Sequence, residues 1–417
     1  MSDQKNTPIV LPTYLTKLQE YVSKPTRTVI GMHSGTSADG PTVALVRVSG
    51  SGETASVEIV ARDTYEYPAW LRSELLKVMD RNTATVDAVC QADMAVGEFF
   101  ASAALDLVQK HRVDLRDVDL IASSGQVTYQ VIPGQRPEHR TGLDREYMSM
   151  LDLGEGAVIA TRTGVITVSS LRRKDNAVGG FGAPLVPFGD WINFRSETVD
   201  RVVWNVGGIC NATIIPAGRP YSDVWAFDAG PGNMVIDWLA SDATGGSQSY
   251  DKDGMLARQG RVSRQLVERA LQDTFIQQPP PKAAARQLYG NDFAAEFARY
   301  GRELGLGPND LVASATALTA EVIGLAQGRY ISEGSRANEL IFAGGGAQNP
   351  VLMDMIRERV SSTPVMTSDE FGVPTDSREV LAMILIANET LHGRPSNCLA
   401  ATAAEKSVAL GHIDLPI

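Results

Sequence analysis

Clusters of positive charge are missing from this 417-residue chain: 38 lysines and arginines stand against 49 acids, for a formal charge of -11, and no basic run interrupts them. Nucleic acid and anionic membrane are therefore not expected as partners, and a small molecule is. Cysteine is scarce, and Cys90, Cys210 and Cys398 lie far apart with no C-x-x-C spacing. That excludes a disulfide framework and a zinc site and leaves reduced thiols. The five histidines form no metal spacing, and His33 reads as a surface or core residue. No apolar run reaches the roughly 18 residues of a membrane span, and no charged-then-apolar signal opens the chain, so the cytoplasm is the expected location. The Gly-Lys-Ser/Thr phosphate loop and the G-x-G-x-x-G dinucleotide fingerprint are both absent.

What is present is enough apolar sequence, 43% of the chain, for more than one core, so two lobes are expected. Residues 1–27 read as a tail with a short helix at YLTKLQEYV. From Thr28 the runs TVIGM, TVALVRV and VEIVARDTYEY alternate as a strand meander. Spacing of three and four then predicts helices in YPAWLRSELLKVMDR and VDAVCQADMAVGEFFASAALDLVQKH, followed by a buried strand at DVDLIASSGQ. Pro133 to Arg145 read as an exposed loop. RVVWNVGGICNATIIP, GPGNMVIDWLA and ELIFAGGGAQNPVLMDMIRERV repeat the plan of strand, glycine turn and helix. The division expected is an N-terminal lobe over 28–200 and a C-terminal lobe over 201–417.

Three glycine-marked turns follow buried strands: GTSADG, NVGGICN and AGGGAQN. Ser34, Gly35, Thr36 and Ser37 offer hydroxyls and unhindered N–H groups suited to phosphate oxygens, and Asp39 suits a divalent cation, although a plain hairpin tip has the same composition. As an ordered set the turns resemble the α/β, two-lobed actin-like (ribonuclease H-like) ATPase and sugar-kinase fold with an interlobe cleft. On that plan Asn205, Gly207, Gly208 and Asn211 border a second phosphate turn, and Gly344, Gly345, Gly346 and Asn349 lie against adenosine.

Read together, GMHSGTSADG, LGEGAVIATRTGV, RRKDNAVGGFGAPLVP, NVGGICN, FDAGPGN, YDKDG, PPPK and GGGAQNP resemble, in order, the signature blocks of the anhydro-N-acetylmuramic acid kinase family. The resemblance implies ATP and Mg2+ as cofactors and a 1,6-anhydro sugar as substrate. It also implies hydrolytic opening of the anhydro bridge with phosphorylation of O6, and a homodimer. It makes Asp228 the catalytic base, where an isolated aspartate before Gly-Pro-Gly reads as a helix cap. It places Asp39 and Glu379 on the magnesium and sugar side, and Gln126, Arg172, Asp175 and Phe181 in sugar-facing blocks. Lys282 and Arg286 match a PPKSTGR block whose small polar run is alanine here. Glu155 and Tyr250 to Gly254 match blocks in which a structural role is as good a reading as a catalytic one.

Three departures fall in the first half. The family pattern Ser-His-Gly-Gln-Thr is Ser123-Ser124-Gly125-Gln126-Val127, Asp-Phe-Arg is Ser170-Leu171-Arg172, and Gly-Gly-Gln-Gly-Ala-Pro is Gly179-Gly180-Phe181-Gly182-Ala183-Pro184. Polar groups are lost where the sugar is expected. Two readings follow: a kinase with an altered pocket, favouring a less polar anhydro sugar such as levoglucosan beside Phe181, or an inactive nucleotide-binding homologue. Retention of Asp39, Asp228 and Glu379 favours the kinase.

Overall fold

The computed structural model describes residues 13–133, 147–331, 337–360 and 363–416. The alternating runs after Thr26 form β1 (Thr26–Ser34), β2 (Thr42–Ser49) and β3 (Ser56–Thr64), an antiparallel meander. β4 (Leu120–Val131) and β6 (Thr167–Ser169) then add in parallel, and β5 (Ser149–Leu153) pairs with β4. β4 continues beyond the expected DVDLIASSGQ strand, running through the polar Ser123–Gln126 segment to Val131. The second sheet repeats this plan. β7 (Arg201–Val206), β8 (Ile209–Ile215) and β9 (Trp225–Pro231) make the meander, with β10 (Glu339–Ala343) and β11 (Val365–Thr367) parallel beside β7. The orders β6-β4-β1-β2-β3 and β11-β10-β7-β8-β9 are one topology used twice.

The chain does not divide at residue 200 as expected. The helix Arg378–Leu391 packs on the first sheet, and β12 (His412–Asp414) pairs with β6. The first lobe therefore takes in both ends of the chain. The short helix expected near the N-terminus spans Thr13–Ser23 and is docked: Tyr21 is buried and its hydroxyl donates to Asn388 Oδ1 at 3.0 Å. Most of the loop expected over 133–145 lies outside the described residues.

Three apolar clusters hold the layers. One fills the outer face of the first sheet against helices Ala69–Val78 and Val86–Lys110. Another fills the second sheet against helices that include Pro308–Ala326. That helix with its extension, Pro308–Ile331, is long and apolar enough to cross a membrane, but 78% of its apolar window is buried within the fold, the signature of a core helix. The third cluster joins the lobes: Val29, Ala44 and Val46 of the first sheet meet Val203, Ile215 and Ile341 of the second through helices Pro187–Phe194 and Arg378–Leu391.

Close approach at that junction depends on missing side chains. A Cβ on Gly31 would lie 2.3 Å from Ile384 Cγ1, and one on Gly189 would lie 2.5 Å from Ala382 Cβ and 2.6 Å from its Cα. The contact at Gly189 includes backbone, so trimming the neighbour cannot relieve it. Gly189→Ala is expected to lower the unfolding free energy by about 1–3 kcal/mol in urea titrations, and Ala382→Gly should not restore it. Parent-like stability of the single variant would contradict this packing.

Candidate active site

A cleft of about 1100 Å³ opens between the two sheets, and the three glycine turns converge on it. The first two nearly touch: a Cβ on Gly208 would lie 2.9 Å from Thr36 Oγ1. Gly35, Thr36, Ser37 and Asp39 line the cleft from the first lobe, and Asn205, Gly207, Gly208, Asn211, Gly344, Gly345 and Asn349 from the second. Asn211 Oδ1 is buried with no hydrogen bond among the described residues.

Several expected ligand residues instead support the walls. Ser34 is buried and donates to Gln126 Oε1 at 2.6 Å. Gln126, fully buried, donates onward to the carbonyls of Gly35 at 2.7 Å and Val127 at 2.9 Å, so it braces the first turn rather than meeting a sugar. Gly346 lies behind the third turn, where a Cβ would meet Val206 Cγ1 at 2.3 Å. Asn349 also accepts from Val351 N and Leu352 N, capping the helix Pro350–Arg359. Asp175 is wholly buried and accepts from Gly182 N at 2.9 Å, Asn397 Nδ2 at 3.0 Å and Thr402 Oγ1 at 2.9 Å. With its oxygens so occupied, it is a structural tie and not a cleft residue.

Phe181 is also off the cleft. It lines a separate cavity of about 490 Å³ with Phe275, Lys282 and Leu288. The cleft lining therefore lacks the apolar face expected from Phe181. Glu155 and Asp251 take the structural option, accepting from Ala157 N at 3.0 Å and from Leu256 N at 2.8 Å at helix starts.

Asp228 ends the central part of β9 at the cleft floor, 6% exposed. Its Oδ2 accepts from Ala284 N at 2.7 Å, and its own N–H donates to Lys282 O at 3.1 Å. The loop that holds it is held in turn: the Lys282 ammonium donates to the carbonyls of Phe275, Ile276 and Ala229 at 2.8, 3.2 and 3.4 Å. Backbone, not the small side chains replaced by Ala283, Ala284 and Ala285, makes the contact to the aspartate. Burial pushes the Asp228 carboxyl up to about 7 against the lowering pull of that hydrogen bond and of Lys282 and Arg172. Burial likewise pushes the Lys282 ammonium down to about 8. The neighbouring Arg286 crosses the cleft to donate to Thr36 O at 2.6 Å, tying the second lobe to the first turn.

Glu379 stands on the opposite wall, in the first turn of its helix. Burial would raise its carboxyl, but His33, Arg378 and Arg172 outweigh that and hold it at about 2. Arg172 reaches the cleft with its Nε 3.1 Å from Asp152 Oδ2 and its Nη1 donating to Gly182 O at 2.9 Å. Asp39 is paired with Arg72 at 3.0 Å. Beyond it Asp237, which the motifs did not flag, also lines the cleft. Burial, then the charges of Asp39 and Asp251, push its carboxyl up to about 8. Among the described residues no group of three or more His, Cys, Asp or Glu side chains is arranged to hold a metal alone.

The family model for anhydro-N-acetylmuramic acid kinase matches residues 27–415. A protein of that name from Caldanaerobacter subterraneus subsp. tengcongensis is 36% identical over 399 residues, 96% of this chain and 100% of that one. Its namesake from Francisella tularensis subsp. novicida is 35% identical over 387 residues, 92% of this chain and 98% of that one. Among solved structures, the activator of the 2-hydroxyisocaproyl-CoA dehydratase from Clostridium difficile with bound ADPNP aligns over 88% of this chain and 96% of that one. It does so at 14% identity and a TM-score of 0.43, too distant to carry residues across. With the model matched almost from end to end and relatives above one-third identity over their full lengths, the chain belongs to the anhydro-N-acetylmuramic acid kinase family.

Proposed function

We propose that this enzyme uses ATP to phosphorylate O6 of 1,6-anhydro-N-acetylmuramic acid while water opens the anhydro bridge. Water attacks C1, the C1–O6 bond breaks, and O6 takes the γ-phosphoryl group as ADP leaves. Asp228 accepts the proton of the water. The observation that carries this reading is its position: a carboxylate in the cleft, fixed by Ala284 N, with a proton affinity near neutrality, where a general base works best. The glycine turns provide a donor-lined pocket for phosphates, and Arg286 holds the first of them in shape.

Mg2+ fits the acid pair Asp39 and Asp237 better than Glu379. Burial and the charges of Asp39 and Asp251 raise the Asp237 carboxyl, so a divalent cation is favoured there and could draw Asp39 from its exposed Arg72 partner, whereas Glu379 is already compensated by His33 and two arginines. Octahedral Mg2+ takes one or two carboxylates and completes its shell with water and phosphate oxygens. Bound there, it would neutralise charge on the nucleotide. Of the three departures that suggested a less polar sugar, the apolar contact was assigned to Phe181, and that part does not carry over to a residue that lines another cavity.

Two outcomes are expected. For the parent, kcat/KM on the anhydro-muramic sugar rises with pH through about 7, because the protonated Asp228 carboxyl cannot accept the water proton. Asp228→Asn removes that limb and lowers turnover by about a hundredfold or more. The folded pKa lies above the unfolded value of about 3.9, so the parent loses stability as pH climbs between the two, and the variant should melt higher at pH 8 than the parent but not at pH 3. Unchanged turnover in the variant would reduce Asp228 to a structural acceptor. The second outcome concerns the pocket: Phe181→Gln leaves the ratio of turnover on the muramic sugar to that on levoglucosan within about twofold. A larger change would return Phe181 to the sugar site.

A further inference from the structure

His33 belongs to none of the expected site residues, yet it sits where the pairing of β1 with β4 is irregular. β1 and β4 run parallel with Met32 opposite Ser123 and Ser34 opposite Gln126, so the register slips by one residue between these pairs. The extra residue is accommodated by Gly125 at φ +68°, where a Cβ would meet Leu153 O at 2.6 Å. In the slip the His33 ring lies against Ser124, with Nδ1 2.6 Å from Oγ. The other nitrogen, Nε2, is buried with no hydrogen bond among the described residues and lies 3.5 Å from Glu379 Oε2 at the cleft wall. Glu379 Oε1 is 3.5 Å from Asn205 Nδ2 of the second sheet. One carboxylate is thus flanked by a group from each lobe. The family pattern places an imidazole at the position of Ser124; in this chain the imidazole beside that position comes from the neighbouring strand.

We propose that His33 is a positioning residue that holds the Glu379 carboxylate against the cleft wall, with Ser124 fixing its ring, so that the imidazole lost from β4 is supplied from β1. A glutamate in the first turn of a helix has three free torsions, and its carboxylate can serve as a hydrogen-bond acceptor for a sugar hydroxyl only if something fixes it. His33 is the first-lobe group in place to do so, and its buried Nε2 is left without another partner. Ser124, shorter than histidine, leaves room for the ring and anchors it from behind.

The kinetic test rests on the reaction proposed above. His33→Asn should lower kcat/KM for the anhydro sugar by about tenfold or more while KM for ATP stays within about twofold. The exchanged double variant His33→Ser/Ser124→His, which returns the ring to β4, should recover activity to within about threefold of the parent. Parent-like kinetics in His33→Asn, or an exchange variant no better than the single, would overturn the proposal. A second arm needs neither substrate nor turnover and so separates this inference from the kinase reading. The ring-nitrogen NMR signals of His33, assigned by their loss in His33→Asn, should move in Glu379→Gln and stay in Asp39→Asn. Signals indifferent to Glu379→Gln would show that the two side chains do not interact, and would overturn the proposal even if the parent proved inactive on every sugar.

Discussion

The alignment of the two lobes depends on one buried ion pair. Arg378 donates through Nε to Asp190 Oδ1 at 2.6 Å and through Nη2 to Oδ2, and Thr213 of β8 donates to the same Oδ2 at 2.6 Å. Both charges are out of water. Asp190 belongs to the helix Pro187–Phe194 and Arg378 starts the helix Arg378–Leu391, so the two helices that join the lobes and a strand of the second sheet meet at one carboxylate. The pair is not there for stability alone: desolvating two ions costs several kcal/mol, and Arg378 Nη1 remains without a hydrogen bond among the described residues. A directional clamp instead excludes other arrangements of the helices. The next residue along is Glu379, whose place at the cleft wall follows from that of Arg378.

On this frame the cleft separates two carboxylates chemically. Asp228 is buried beside a backbone N–H and is held near 7; Glu379 is surrounded by His33, Arg378 and Arg172 and is held near 2. Pushing like groups apart in this way gives one site a base and a permanent anion at the same pH. The support for each is remote in sequence. Asp228 depends on a loop more than fifty residues later, locked by the buried Lys282, and Glu379 depends on a strand near the opposite end of the chain.

Much of this was legible in the sequence. Short apolar, β-branched runs broken by glycine located the strands of both meanders and all three turns, because strands buried on both faces and turns of small residues leave local marks. Asp228 and the glycines were found by the order of motif blocks. What local pattern could not show was membership and register. Helix Arg378–Leu391 is apolar on every side and so reads as a core helix, but that does not say which sheet it packs on; it packs on β1, and only the missing side chain of Gly31 hints at so close a neighbour. Asp175 and Phe181 share a block with cleft residues, but the chain turns after Arg172 and carries them behind the wall. A buried aspartate bonded to Gly182, Asn397 and Thr402 has the same sequence signature as one bonded to substrate. His33 was missed because its partners, Ser124 and Glu379, are brought to it by a register slip and by a distant helix.

The central claim is that the buried clamp orients the site rather than stabilising the fold, and replacing it by apolar side chains separates the two effects. Kinetics and urea unfolding of the Asp190→Leu/Arg378→Leu double variant, measured side by side, decide the matter. The account predicts unfolding free energy within about 2 kcal/mol of the parent, since a buried pair exchanged for packed apolar groups is often neutral, together with turnover reduced by about tenfold or more. Parent-like turnover in a stably folded double variant would contradict it.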